Sequence, residues 1–460
     1  MSQNQMNQEN NTVSEGFAKF ILDVKFGNIP KDLVSFIKVL TLKCIADMAA
    51  GAGMPHSRKL VNPVRERRLP GDVGVMTYGF KTSLWEGVFL NSFFAHAAEL
   101  EDDAFFDADF NSTGPSWSIT VIPLLLTFAE RQRLSGKQLI EAIVAGLEIH
   151  RRSCLTHVAH RGVLLGQGSI GPVAGAAKAL GLNREEILSA MGLAISGPDV
   201  QIVNYGYDGH FFESAMQTMH AMIAAEMAKN GLTGNPDLSR FLSLKYGDTS
   251  ASSEKMLADL GTRWLCRDFW IKKYPASFGL HSTIDIMVEL KNKHNINWKD
   301  IDTIEVFPAN GMLCYVPKDV SSAVVSQYWV LAVAAVDGDV TIDHMTEDAL
   351  VNPDYREVMA RIRHTCPSGD NSIQQPLFSH KDSIKICMKN GLEYTGERQY
   401  PIGSPMEPLT DKQMKDLFAK FSAKMFSPQN CEKIAGMVLN LENLNDIDEL
   451  MDLLTYRNVL

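Results

Sequence analysis

Three stretches of this chain carry ionisable side chains at spacings that proton chemistry uses. The first is HAAELEDDAFFDAD, residues 96–109, where His96, Glu99 and Asp103 stand at i, i+3 and i+7 and share one face if the segment is helical. Asp102 lies beside that face. Carboxylates crowded among apolar neighbours repel one another when all are charged, which is how a carboxyl acquires a raised pKa and becomes a useful acid or base. A solvated acidic helix end explains the same residues equally well. His96 and Glu99 also have the spacing of a metal pair, but no second ligand cluster accompanies them, so no metal is expected.

The second stretch is YGYDGHFFESAMQTMH, residues 205–220. Gly206 and Gly209 predict a loop that lets backbone approach something closely. His210 and Glu213 then stand at the mouth of the following helix, where free N–H groups favour anions; a connector with His210 simply packed is the alternative. The third is IKKYPASFGLHSTIDIM, residues 271–287, with Lys272, Lys273 and Tyr274 ahead of a proline-marked loop and His281 at the start of an apolar helix. A lone histidine there is more often a hydrogen-bonded cap; the adjacent cations and tyrosine single this one out.

The elements that must position these groups are mostly helical. Apolar residues recur at three- and four-residue spacing from about Ser14, through PKDLVSFIKVLTLKCIADMAAGAG from Pro30, and over about 85–103, 119–132, 136–153, 169–180, 184–196 and 212–229. Ser135 before Gly136, and Asn183 with Glu186 in capping-box spacing, predict helix starts. Asn230-Gly231 predicts a stop. Small residues crowd GPVAGAAKALGL (171–182) and AMIAAEMAKNG (221–231), which lets helix axes approach closely. After about residue 265 the texture changes. DTIEVFPA (302–309) reads as a strand and SIKICMKNGLEYTGERQYP (383–401) as a hairpin turning at Asn390-Gly391. Helices fall near 279–292 and 324–336, and helical periodicity returns from about Thr410. The predicted fold class is mainly α: a large all-helical domain (14–265), an inserted smaller α+β domain (266–404) and C-terminal helices (405–460) that rejoin the first domain, behind a disordered tail (1–13).

Bulk properties narrow the function. At 460 residues two domains are the natural prior. With 45% hydrophobic and 21% charged residues the chain is of ordinary globular composition. A net charge of -10 argues against a nucleic-acid partner. The cysteines at 44, 154, 266, 314, 366, 387 and 431 include no CxxC pair and are odd in number, which suits reduced thiols rather than disulfides or a zinc ribbon. The polar N-terminus lacks a secretory pattern, and no apolar run reaches the ~18 residues of a membrane span. A soluble, cytoplasmic protein without a membrane partner is expected.

Taken in order, several segments resemble the MmgE/PrpD family over about residues 16–421. HAAELEDD looks like that family's HALDFDDT, GPSWSITVIPLLLTFAE (114–130) like its HPS…LP…LAE helix, and RGVLLGQGSIGPVAGAAKALGL (161–182) like its glycine- and alanine-rich segment. KNGLTGN (229–235) stands where the family has a GFTG turn. YPASFGLHSTID is similar to YPCCRFTHSAID, and VLAVAAVDGDVT (330–341) and RQYPIGSPMEPLTDKQMKDLFAKF to the later family segments. The resemblance implies a helical domain, an α+β lid with a cleft between them, a homodimer, no cofactor, and dehydratase, decarboxylase or epimerase chemistry on small carboxylates. Several cleft positions differ from the decarboxylase-like pattern. Glu99 replaces an aspartate, Asp103 a threonine and Gly114 the histidine of HPS. His210 falls on the family's lysine and Glu213 on the histidine three residues later. His281 alone is kept in kind.

These readings converge on a lyase of the 2-methylcitrate dehydratase type, acting on a small di- or tricarboxylate by removing a proton alpha to a carboxylate. An epimerase of a small dicarboxylate and a non-catalytic binding dimer are the alternatives. His281 and His210 are the expected base or acid. Glu99 and Asp103 orient a histidine or carry the second proton. Lys273, Arg161 and Tyr274 are expected to grip the substrate carboxylate, with Lys272 a near-equivalent to Lys273 and Glu213 a further substrate contact.

Overall fold

Close approach of small residues sets the packing of the helical part. The computed structural model describes residues 13–106, 112–156, 163–165, 169–246, 250–308, 313–365 and 381–456. Its principal helices are α1 (Lys31–Ala52), α2 (Leu84–His96), α3 (Ile122–Gln132), α4 (Gly136–Ser153), α5 (Ile170–Leu180), α6 (Arg184–Ala194) and α7 (Asp208–Lys229). Helices α4 and α5 pack through glycines. A Cβ on Gly146 would lie 3.2 Å from the Gly171 carbonyl, and one on Gly171 would lie 2.2 Å from His150 Cβ. Alanine at Gly171 forces these helices apart. Helices α1, α2 and α7 pack in sequence across the same core.

Capping chemistry sets the boundaries as predicted. Ser135 with Gln138 and Asn183 with Glu186 both form capping boxes. Helix α7 stops at Asn230, followed by Gly231 at φ 88°, where the left-handed backbone favours glycine.

Helix α2 departs from expectation. It was predicted to run to residue 103, but it ends at His96, and Glu99 turns at φ 51°. The chain then extends, and Asp103 exchanges backbone hydrogen bonds with Trp270, 3.0 Å from its own N–H and 2.6 Å from that of Trp270. The run of acidic side chains therefore does not lie along one helical face. Contacts to Lys272 and Ser118 and the pairing with Trp270 outweigh the helical preference, and the tight turn folds Glu99 back against His96.

Beyond residue 265 a four-stranded mixed sheet appears: β1 (Ile301–Phe307), β2 (Ile362–His364), β3 (Asp382–Met388) and β4 (Glu393–Arg398), in the order β4-β3-β1-β2 with only the β1–β2 pair parallel. The predicted strand and hairpin are these β1, β3 and β4, and Gly391 turns at φ 85°. Helix α8 (His281–His294) covers β3 and β4, with Gly396 directly beneath Ile286. Helix α9 (Gln327–Asp337) packs on α8. Helices α10 (Asp411–Ser422) and α11 (Pro428–Leu439) then return to pack against α1. Among the described residues no helix is long and apolar enough to cross a membrane, and no disulfide joins the described cysteines.

Candidate active site

One buried ammonium organises the site. Lys272 enters the interior, while the next residue, Lys273, stays partly exposed and reaches Asp285 together with Tyr274. Lys272 is fully buried. Its Nζ donates to Glu101 and, at 3.2 Å, to Glu99 Oε1, and lies 3.9 Å from Asp103 Oδ2. Three buried carboxyls thus share one cation. Burial, with Glu101 adding to it, pushes the Glu99 carboxyl up to about 8, and burial holds Asp103 well above the carboxylate range. Burial works against the Lys272 ammonium, but Glu101, Glu99 and Asp103 outweigh it and raise its pKa. Asp102 turns aside and accepts from the Ser118 backbone N–H at 3.2 Å and from the Ser118 hydroxyl; burial raises it to about 6.

Three buried histidines border this cluster. Ser214 Oγ donates to the Phe211 carbonyl at 3.0 Å, so toward His96 Nδ1, 2.8 Å away, it must accept. With the hydroxyl proton on that carbonyl, Nδ1 carries the imidazole proton and the Nε2 lone pair of His96 faces Glu99 Oε2 at 3.8 Å and Glu101 Oε1 at 3.7 Å. His210 Nε2 lies 3.7 Å from the same Glu99 oxygen, with its ring 4.5 Å from that of His96. Trp117, Phe211 and Tyr205 wall the pair. His281 donates from Nε2 to the Ala276 carbonyl at 3.1 Å and is stacked on Phe278, leaving its Nδ1 lone pair free. Burial depresses all three imidazoles, and Lys272 adds to it: His210 falls to about 3, and His96 and His281 lie well below the usual value. All three are neutral at pH 7. Among the described residues, His96 Nε2, Glu99 Oε2, Glu101 Oε2, Asp103 Oδ1, His210 Nδ1 and His281 Nδ1 are buried without a hydrogen-bond partner. Such atoms await a partner.

The structure therefore brings Glu99, Asp103 and His210 together around Lys272. His281 makes its hydrogen bond and ring contacts with Ala276, Tyr274 and Phe278 in its own segment, and the Lys272 charge reaches its imidazole. The predicted carboxylate grip sits elsewhere. Lys273 Nζ and Tyr274 Oη both donate to Asp285 Oδ1, at 2.8 and 2.9 Å, while Asp285 Oδ2 accepts from the Ile402 N–H. The inward lysine is Lys272. Glu213 accepts from the Gln201 N–H at 2.9 Å and from the Asn204 amide, pinning the segment ahead of α7. Arg161 lies outside the described residues.

Glu101 and Ser214 were not anticipated. Glu101 shares the parity of Glu99 and Asp103 in an extended chain, a signal hidden by the helical reading. The expectation of no metal rested on the lack of further ligands beside His96 and Glu99. His210 supplies one from a distant helix, and the ligand atoms of His96, Glu99 and His210 lie within 4.8 Å of one another.

Comparison with known proteins agrees along most of the chain. The MmgE/PrpD N-terminal domain matches residues 15–246 and the MmgE/PrpD C-terminal domain matches residues 274–443. The chain is 24% identical to cis-aconitate decarboxylase of Homo sapiens, with 96% of this chain and 94% of that protein covered. It is 22% identical to a cis-aconitate decarboxylase-like protein of Aspergillus oryzae, with 97% and 98% covered, and 22% identical to cis-aconitate decarboxylase of Aspergillus terreus, with 93% and 92% covered.

Proposed function

The chain belongs to the MmgE/PrpD family, and from that premise we propose that it is a lyase acting on a small di- or tricarboxylate, with a proton moving at the carbon beside a carboxylate. The observation that carries this reading is one buried ammonium, Lys272, enclosed by three carboxyls and bordered by neutral histidines with unpartnered lone pairs. His281 is the base: its Nε2–H is held by the Ala276 carbonyl, so Nδ1 is the atom that accepts a proton. As the C–H bond breaks, its electron pair moves onto the adjacent carboxylate, and the Lys272 ammonium offsets the growing negative charge. Asp103, kept protonated by burial, is the acid. In a dehydration it protonates the departing hydroxyl, which leaves as water while a C=C bond forms. In a decarboxylation CO₂ departs instead, and the electron pair left on carbon takes the proton. Glu99 and His210 hold the substrate beside these two.

In this reading residues 266–404 form the lid, since Lys272 and His281 come from that region and Glu99 and His210 from the helical one. The names of the relatives, all cis-aconitate decarboxylases or likened to one, support lyase over epimerase.

The test is incubation of the full chain with a panel of small di- and tricarboxylates in D₂O, followed by NMR. Released CO₂ or a new alkene supports the lyase. Deuterium incorporation without a new product overturns it in favour of an epimerase, and neither exchange nor turnover with any acid overturns the enzymatic reading altogether.

A further inference from the structure

We infer that His96, Glu99 and His210 form a binding site for one divalent first-row cation, for which Zn²⁺ is the probe. The inference goes beyond the lyase reading, because the ion's binding does not depend on which reaction the protein catalyses.

Geometry is the first argument. The Glu99 Oε2 to His96 Nε2 and Glu99 Oε2 to His210 Nε2 separations are 3.8 and 3.7 Å, and all three ligand atoms lie within 4.8 Å of one another. Bonds of ~2.0–2.2 Å to a tetrahedral ion need ligand separations of ~3.4 Å, so shifts of a few tenths of an ångström bring each histidine to the Glu99 distance, and the two imidazoles close on each other by no more than about 1.4 Å. The left-handed turn at Glu99 brings this carboxyl back onto His96, and the first turn of α7 delivers His210 to the same oxygen. Two imidazoles and one carboxylate leave coordination positions open, as catalytic rather than purely structural metal sites do.

Lone pairs are the second, independent argument. His96 Nε2 and Glu99 Oε2 have no hydrogen-bond partner, on side chains 0% and 3% exposed. Ser214 holds the proton of His96 on Nδ1, so Nε2 presents a lone pair inward, the usual outer-shell arrangement for a ligating histidine. Lys272 occupies the other oxygen of Glu99 and does not block Oε2.

Charge is the third. Three carboxyls share the single ammonium of Lys272, and Glu99 Oε2 receives none of it, so a cation at that oxygen supplies the partner the cluster lacks. Lys272 repels an ion, but Glu101 sits on that ammonium and screens it.

The experiment uses the full chain, stripped with a chelator and titrated with Zn²⁺ against a chromophoric competitor. One equivalent per chain is expected. Ser214→Ala should weaken binding by about 10–100-fold through loss of the outer-shell hydrogen bond, and His210→Ala by more. Titration with Co²⁺ should give a visible absorption band that is lost in His210→Ala. Ser214→Ala removes a single hydroxyl, so it tests the site even if the histidine variants fail to fold. Absence of stoichiometric binding by the parent chain overturns the inference, as does Zn²⁺ affinity unchanged in both variants. Neither result bears on the D₂O assay.

Discussion

Two buried ion clusters in this molecule make opposite use of the same chemistry. On α4, Arg152 pairs with Glu148 at 2.7 Å, and its remaining N–H groups reach the carbonyls of Met256, Ala258 and Arg263, while Glu148 Oε2 takes the Cys266 N–H. One positive charge meets one negative charge, with backbone filling the remaining hydrogen-bonding positions. Around Lys272, one positive charge meets three carboxyls, and six polar atoms of the carboxyls and the neighbouring histidines have no partner. Both clusters are equally dry. A saturated cluster ties segments together and has nothing left to offer. An unsaturated one raises carboxyl pKa values, keeps imidazoles neutral and holds lone pairs for something that arrives later. Underpairing, rather than burial, separates the two.

The sharpest way to break the comparison is to alter one group in each cluster. His281→Asn keeps a polar side chain of similar size but removes the basic lone pair. Turnover with the acid identified in the D₂O screen should fall by ~10²–10⁴-fold, the usual worth of general base catalysis, with the thermal midpoint little changed. Unaltered turnover would remove His281 from the proton path. Arg152→Met should do the reverse. Leaving Glu148 buried without its partner should cost about 3–5 kcal/mol of stability, read from denaturant unfolding, while turnover per folded molecule stays within about twofold of the parent.

A third variant sharpens the contrast by pH. His150 is fully buried on α4, close to the α5 contact, with Thr120 Oγ1 3.3 Å from Nδ1. Burial, with Arg151 adding to it, lowers its pKa from 6.5 to about 3. The unfolded chain therefore takes up this proton near pH 6.5 and the folded chain only near pH 3. Between those values the unfolded state binds more protons, so stability falls as pH falls. At pH 5 this one group accounts for about 2 kcal/mol of lost stability. His150→Leu should remove that share, and the stability difference between variant and parent should shift in the variant's favour by this amount between pH 8 and pH 5. A pH-independent difference would mean that His150 protonates as readily folded as unfolded.

The sequence made much of the architecture legible because caps, turns and periodicity are local. Ser135, Asn183, Gly231 and Gly391 act where they were expected to act. The mainly helical class and the small sheet follow from the change of period near residue 265. Errors came where tertiary contacts overrode local preference. The acidic run after His96 looked helical until Trp270 and Lys272, some 170 residues away, drew it into an extended chain. Glu213 looked like a site group because it lies three residues from His210, but its carboxyl caps Gln201 and Asn204 instead. The metal-ligand geometry was illegible for the same reason, since His210 reaches Glu99 across 111 positions of sequence.

The choice between Lys272 and Lys273 is the finest discrimination the comparison offers, and sequence gives both the same chemistry. Burial decides it. Lys273 donates to Asp285 at 2.8 Å, lies over the Tyr274 ring at 4.9 Å, and keeps 21% of its side chain exposed. Asp285 retains Tyr274 and the Ile402 N–H when this lysine is lost. Lys273→Met should therefore cost about 1–3 kcal/mol of stability, between the scales of an exposed pair and of a buried one, since Asp285 is buried but keeps two other donors, and change kcat/KM by less than about fivefold. A fall of a hundredfold or more would show that Lys273 reaches the substrate after all. The underpaired cluster around Lys272 would then no longer account for carboxylate binding, because an exposed, already paired lysine would be supplying it.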